Sequence, residues 1–114
     1  MKTYRGKLNV GGVGGQIIMV NEDGVGTPTK CTYSKRLPHI VRHSPDGFNW
    51  GYSGSGPADT ALSILTDCLG QNVANAFYQE FKLQFVASWK DSFEITEKEI
   101  KDWLKPEALE RQIK

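Results

Sequence analysis

The chain has 114 residues, 24% of them charged and 39% hydrophobic, and its 14 lysines and arginines against 13 aspartates and glutamates leave a formal net charge of +1. That length suits a single domain with one modest core, and the near-neutral balance gives no whole-chain electrostatic case for nucleic acid or an anionic membrane surface. No apolar run approaches the roughly 20 residues of a membrane helix, and the opening Met1-Lys2-Thr3-Tyr4-Arg5 lacks the apolar segment of a secretory leader, so a cytoplasmic protein without a membrane partner is the default expectation.

The N-terminal third reads as β structure. Tyr4, Gly6, Leu8 and Val10 alternate with polar neighbours, and a second strand over residues 16–20 follows the glycine-rich Gly11-Gly12-Val13-Gly14-Gly15. The two strands predict an antiparallel hairpin. No G-x-G-x-x-G can be placed on those glycines, and the β-rich Ile17-Ile18-Met19-Val20 follows them rather than a helix, so a hairpin loop explains them better than a dinucleotide fingerprint. Residues 21–35 have no apolar period and predict an exposed loop. Next, Pro45 and Gly47 suit the second and last positions of a type I turn over residues 44–47. Such a turn pairs residues 39–43 with 48–52 and sets His39, Val41, His43, Phe48, Trp50 and Tyr52 on one face, with Ile40, Arg42, Asn49 and Gly51 on the other.

Helix signals dominate the second half. Pro57 fits a first helical position and Gly70 the residue past the last turn, while Ala58, Ala61, Leu62, Leu65, Cys68 and Leu69 recur at helical spacing between them. A second helix over 72–89 carries Phe77, Phe81 and Phe85 at i, i+4 and i+8, with Leu83 and Val86 widening the apolar arc, which predicts the central core helix. Thr96-Glu97-Lys98-Glu99 matches a capping box flanked by Ile95 and Ile100 at the staple positions. A third helix over 96–104 should therefore dock through Trp103 and Leu104 and stop before Pro106. Residues 106–114 read as a last helical turn or a frayed tail. The expectation is an α+β fold in one domain over 1–114, with antiparallel hairpins forming a small sheet within about 3–52, packed by helices at about 57–69, 72–89 and 96–104.

Chemistry concentrates in the loop that leads from the aromatic segment into the first helix. Unpaired N–H groups at a helix N-terminus favour anions, so Ser53, Gly54, Ser55 and Gly56 could cradle a phosphate, with Tyr52 nearest the ligand and Trp50, His39 and Arg42 around it. A tight structural turn is the competing reading. The phosphate-loop pattern is missing, since no lysine follows the last glycine, Pro57 lacks an N–H, and Asp59 in the first turn would repel an anion. Phe48 and Trp50 read as core rather than as a stacking platform. Lys35, Arg36 and Arg42 are the cations available to a bound phosphate.

Other chemistries find less support. His39 and His43 form an H-x-x-x-H pair with Cys31 upstream, but Pro38 and Pro45 bracket a segment that is not helical, so no metal site and no other cofactor is expected. Cys31 and Cys68 are the only cysteines and read as reduced thiols, with Cys68 a core filler on the helix stripe. No nucleophile elbow can be placed, and no catalytic residue is assigned.

The residues His43-Ser44-Pro45-Asp46-Gly47-Phe48, Trp50-Gly51-Tyr52 and Gly54-Ser55-Gly56-Pro57-Ala58 resemble a small family of domains of unknown function found in bacterial, plasmid and phage proteins. Thr3-Tyr4-Arg5-Gly6, Tyr78-Gln79-Glu80-Phe81-Lys82, Ile95-Thr96 and Ile100 extend the similarity over nearly the whole chain. Asn49 stands where such proteins carry an acidic residue. The resemblance implies no established activity, and its association with mobile elements implies a small binding or inhibitory protein. Two functions follow as expectations. The first is a non-enzymatic domain that binds a nucleotide-like anion at the Gly/Ser loop. The alternative is a protein-interaction or inhibitor module, such as a host-defence antagonist, in which that loop is only structural.

Overall fold

Alternation along the first strand decides which face of the sheet is buried. In the computed structural model, which describes residues 2–8, 16–23, 32–43 and 47–104, β1 (Lys2–Lys7) lies between β2 (Ile18–Asp23) and β4 (Ser92–Thr96). With β3 (Thr32–Arg36) beyond β2, the four strands run in the order β3-β2-β1-β4, and every pairing is antiparallel. Tyr4 faces Val20 on one side and Ile95 on the other, and Gly6 faces Ile18 and Phe93. These residues share the inner face, and Tyr4, Ile18, Val20, Phe93 and Ile95 are all buried.

Gly6 makes room on that face. A Cβ there would lie 2.5 Å from Cε2 of Phe93 and 2.7 Å from Cη2 of Trp50. The space is filled by rings: Trp50 meets Phe93 edge-on with centroids 4.8 Å apart, and Phe93 stacks on Trp89 at 3.8 Å. The Trp50 indole N–H donates to the Lys90 carbonyl at 2.8 Å, which satisfies the one polar atom of an otherwise apolar side chain. Gly51, at φ +88, bends the chain away from this cluster. Its N–H donates to the Val86 carbonyl, and a Cβ would stand 2.9 Å from the Trp89 carbonyl oxygen.

Among the described residues three helices join the sheet: α1 (Ser55–Leu69), α2 (Gln71–Gln84) and α3 (Glu97–Trp103). They pack on the inner face of the sheet, giving the expected α+β architecture. Gly70, at φ +93, ends α1 as anticipated and separates it from α2. At α3 the Thr96 hydroxyl accepts the Glu99 N–H at 3.1 Å, and Ile95 and Ile100 are buried beside it. The reciprocal arm differs from a full capping box, because the Thr96 hydroxyl also donates to the Glu99 carboxylate at 3.2 Å.

Several sequence expectations are corrected. Residues 37–43 form no strand and do not pair with 48–52; Phe48 instead makes a lone bridge to Gln16. The cause is competition for backbone donors. Ser63 of α1 takes the Ile40 N–H and Asp59 takes those of Arg42 and His43, leaving these three donors unavailable to a cross-strand ladder. The fourth strand comes instead from residues 92–96, and part of the anticipated loop, residues 32–35, lies in β3.

The central helix is α1 rather than α2. Residues 56–65 of α1 are all buried, whereas α2 buries only Ala74 and Phe81 and leaves Leu83 exposed. α2 also stops at Gln84, and a separate 3-10 turn, Val86–Ser88, follows it. The glycine-rich 11–15 connection, Cys31, residues 44–46 of the proposed turn and the 106–114 tail lie outside the described residues.

One stripe of α1 is polar yet packed inward. Asp59, Ser63 and Asp67 recur at i, i+4 and i+8 and act as acceptors for chain segments laid across the helix. Asp67 accepts from the Tyr4 hydroxyl at 2.8 Å and pairs with Lys2 at 3.3 Å and Lys35 at 3.7 Å. Burial, reinforced by the hydrogen bond to Asp67, holds the Tyr4 phenol well above its ordinary pKa. Cys68 is a free thiol packed against the core, and burial together with the negative charge of Glu97 pushes it up to about 11.

Candidate functional site

The first turns of α1 are where the sequence-predicted residues converge. Tyr52 lies against both loop glycines: a Cβ on Gly54 would stand 2.7 Å from its Cε2, and a Cβ on Gly56 would stand 3.0 Å from its hydroxyl and 2.8 Å from Cβ of Asn49. Glycine at 54 and 56 therefore allows the tyrosine ring and the Asn49 backbone to close over the helix start. Thr60 reinforces that closure. Its hydroxyl accepts the Asn49 N–H at 3.1 Å and donates to the Asn49 carbonyl at 2.7 Å. Ser53 and Ser55 remain exposed, and Tyr52 is 48% exposed. Trp50, by contrast, is 2% exposed and belongs to the aromatic core.

One turn further along α1 stands Asp59, 0% exposed. Its carboxylate is 2.9 Å from Nε2 of His39, accepts the His43 N–H at 2.9 Å, and lies with both oxygens 3.3 Å from the Arg42 N–H. An isolated buried carboxylate would be strongly disfavoured, so these donors are what make its position tolerable. In return it fixes the path of residues 39–43. The His39 ring also tilts onto Phe48, with centroids 4.8 Å apart.

Because backbone and ring donors point down to Asp59, the side chains of Arg42 and His43 point out. His43 is 2.9 Å through Nε2 from the Tyr78 hydroxyl of α2, with its ring stacked on that of Tyr78 at 5.8 Å. The Arg42 guanidinium donates to Asn75 Oδ1 at 2.7 Å and sits 5.7 Å from the Tyr78 ring centroid. The result is a surface cluster in which one guanidinium and one imidazole, on a loop held from beneath, meet the half-buried phenol of Tyr78 on α2. Donors of these types, converging in a fixed arrangement, suit a phosphate or carboxylate.

The structure thus sets Tyr52 against Gly54 and Gly56 at the start of α1 and brings His39 and the Arg42 backbone to Asp59 one turn on, and leaves Trp50 inside. His39 and His43 do not converge: one turns to Asp59 and the other to Tyr78. Among the described residues, no group of three or more His, Cys, Asp or Glu side chains is placed to hold a metal, nor is any helix long and apolar enough to cross a membrane.

Sequence reasoning missed Asp59, Asn75 and Tyr78 as members of this cluster. Asp59 carried a legible signal, since Asp59, Ser63 and Asp67 keep helical spacing beside the apolar stripe and within a run of small and apolar residues. Asn75 and Tyr78, one turn apart on α2, have no partner in the local sequence, and only packing of α2 on α1 delivers them.

Neither the curated proteins nor the solved structures yield a significant match to this chain. A family model does match, described as "Family of unknown function (DUF6166)" and covering residues 4–106, a span that takes in most of the sheet, the buried Asp59 and the Arg42–His43–Tyr78 surface. The chain belongs to the DUF6166 family.

Proposed function

We propose that this protein is a non-enzymatic binding domain that captures an anionic, nucleotide-like group on the surface formed by Arg42, His43 and Tyr78, with Tyr52, Ser53 and Ser55 at its margin. The observation that carries the reading is Asp59: a fully buried carboxylate is used to hold an exposed Arg/His loop in a single conformation. Fixing a loop before its ligand arrives lowers the ordering cost of binding. The closure of Tyr52 and Asn49 over Gly54 and Gly56 supports moving the anion outward from the helix N-terminus to the side chains of the 39–43 loop.

Thermal unfolding against inorganic phosphate and a panel of nucleotides tests it. Saturable stabilisation is expected, since a ligand at a hundred times its Kd adds about 2.7 kcal/mol. Arg42→Ala should abolish the response. A native protein that responds to no member of the panel, or a response that Arg42→Ala leaves intact, refutes the reading.

A second reading, a protein-interaction or inhibitor module, for example a host-defence antagonist, takes Val41 as its candidate contact. This residue is 61% exposed on a segment whose neighbours are tied to α1. A stoichiometric protein partner lost on Val41→Asp and retained on Arg42→Ala would select it.

A further inference from the structure

The start of β2 and the residue before it are apolar on both sides. Ile18 and Val20 are buried on the inner face, while Ile17 and Met19 alternate to the outer face, where Ile17 is 47% exposed. Large apolar residues at four successive positions are the pattern of a strand covered on both faces. Here the helix layer covers the inner face, on which Tyr4, Val20 and Ile95 meet Leu62 and Leu65 in the core. The outer face carries a shallow groove of about 580 Å³ bordered by Ile17, Met19, Arg5, Lys7, Ser92 and Glu94.

Beside the groove positive charge exceeds negative, with Arg5, Lys7 and Arg36 against Glu94, while Asp23 stands farther along the same face of β2. Arg5 is held by Glu94 at 2.8 Å, and Arg36 pairs in register with Met19. Lys7 and Arg36 are exposed and have no acidic partner among the described residues. The apolar strip is therefore flanked by more positive than negative charge, although the whole chain is nearly neutral. Four strands spaced about 4.8 Å apart give a face roughly 14 Å wide, enough for one helix about 10–12 Å across.

We propose that the outer face of the sheet docks an acidic amphipathic helix of a partner protein, its apolar side chains on Ile17 and Met19 and its carboxylates toward Lys7, Arg36 and Arg5. A second copy of this chain fits less well, because a self-complementary contact sets the same surplus cations against each other. Single-stranded nucleic acid also fits less well. It needs exposed rings for base stacking, and Phe93, the described aromatic bordering the groove, is buried and stacked on Trp89. This surface lies across the sheet from the Arg42 cluster and is independent of it.

The test uses the full chain and a synthetic helical peptide of about 18 residues, long enough to form a helix, with a leucine stripe flanked by glutamates. Controls are the same peptide with lysine for glutamate and a single-stranded oligothymidine. Fluorescence anisotropy should show saturable binding of the glutamate peptide, with amide shifts in β1, β2 and β4. Ile17→Asp and Lys7→Glu should each weaken it at least about tenfold without lowering Tm, and Arg42→Ala should leave it unchanged. Several outcomes overturn the proposal: no saturable binding of the glutamate peptide, equal binding of the lysine peptide, tighter binding of the oligonucleotide at this face, amide shifts confined elsewhere, or a dimer that the peptide cannot displace.

Discussion

Replacing Asp59 by alanine would remove a buried carboxylate that faces two backbone N–H groups and one imidazole nitrogen. Breaking a buried, charged hydrogen-bond network from one side costs about 3–5 kcal/mol. The lower end applies here, because Arg42 and His43 are exposed residues whose freed N–H groups can turn to water. A loss of about 3 kcal/mol is therefore expected, a large part of the 5–15 kcal/mol that such a domain has in total. In a thermal scan it should appear as a fall in Tm of roughly 12–20 °C. Asp59→Asn should cost less, about 1–2 kcal/mol, since one oxygen still accepts the His43 N–H and the new amide can donate to Nε2 of His39 in its other tautomer. A double-mutant cycle of Asp59→Ala with His39→Ala should show coupling of about 1–2 kcal/mol, and hydrogen exchange at the Arg42 and His43 amides should accelerate in Asp59→Ala. If Asp59→Ala stays within about 1 kcal/mol of the parent, as an aspartate on a solvated helix face would, the role given to this carboxylate is wrong.

Gly6→Ala, whose Cβ would meet the Phe93 and Trp50 rings at 2.5 and 2.7 Å, should destabilise by about 1–3 kcal/mol in urea titration; no measurable change would show that the aromatic cluster yields freely. Thr96→Ala removes the acceptor of the Glu99 N–H and should cost about 1 kcal/mol, mostly restored by Thr96→Ser. Alkylation of Cys68 at pH 8, followed by mass spectrometry of its peptide, should run at least about tenfold slower than in the unfolded chain, because its thiol titrates near 11. The folded-state pKa values of Cys68 and Tyr4 both lie above their unfolded values, so their contribution to stability is complete below the ordinary thiol and phenol range and is lost as pH rises through it toward the folded values. Urea midpoints should accordingly hold to about pH 9 and fall by pH 11; a flat profile would contradict the burial of both groups.

Local signals located the elements that depend on nearby residues. Pro57, the Ala/Leu stripe and Gly70 act within one or two helical turns, and α1 forms close to where they place it. Thr96 with Glu99, and Ile95 with Ile100, did the same for α3, while alternation around Tyr4 and Ile18 was enough for the β1–β2 hairpin. The errors arose where distant residues decide. Residues 39–43 have strand-like composition beside a good turn, yet α1 side chains claim the N–H groups of Ile40, Arg42 and His43. Nothing in the local sequence announces that competition. β4 was missed for a related reason: a five-residue strand next to a capping box gains its ladder from β1, roughly ninety residues earlier in the chain.

The candidate site divides along the same line. The sequence alone picked out the Gly/Ser loop, Tyr52, His39 and Arg42, because glycine, aromatic and basic side chains near a helix start carry recognisable chemistry. It also determined the α+β class and the position of α1, through periodicity and caps that act over a few residues. Only the tertiary structure turned the Tyr52 ring onto Gly54 and Gly56, buried Asp59 beneath the 39–43 loop, and carried Tyr78 and Asn75 to Arg42 and His43. The physical reason is that a hydrogen-bond acceptor inside a helix has no preferred partner until packing excludes water, and which donors then reach it depends on the whole fold.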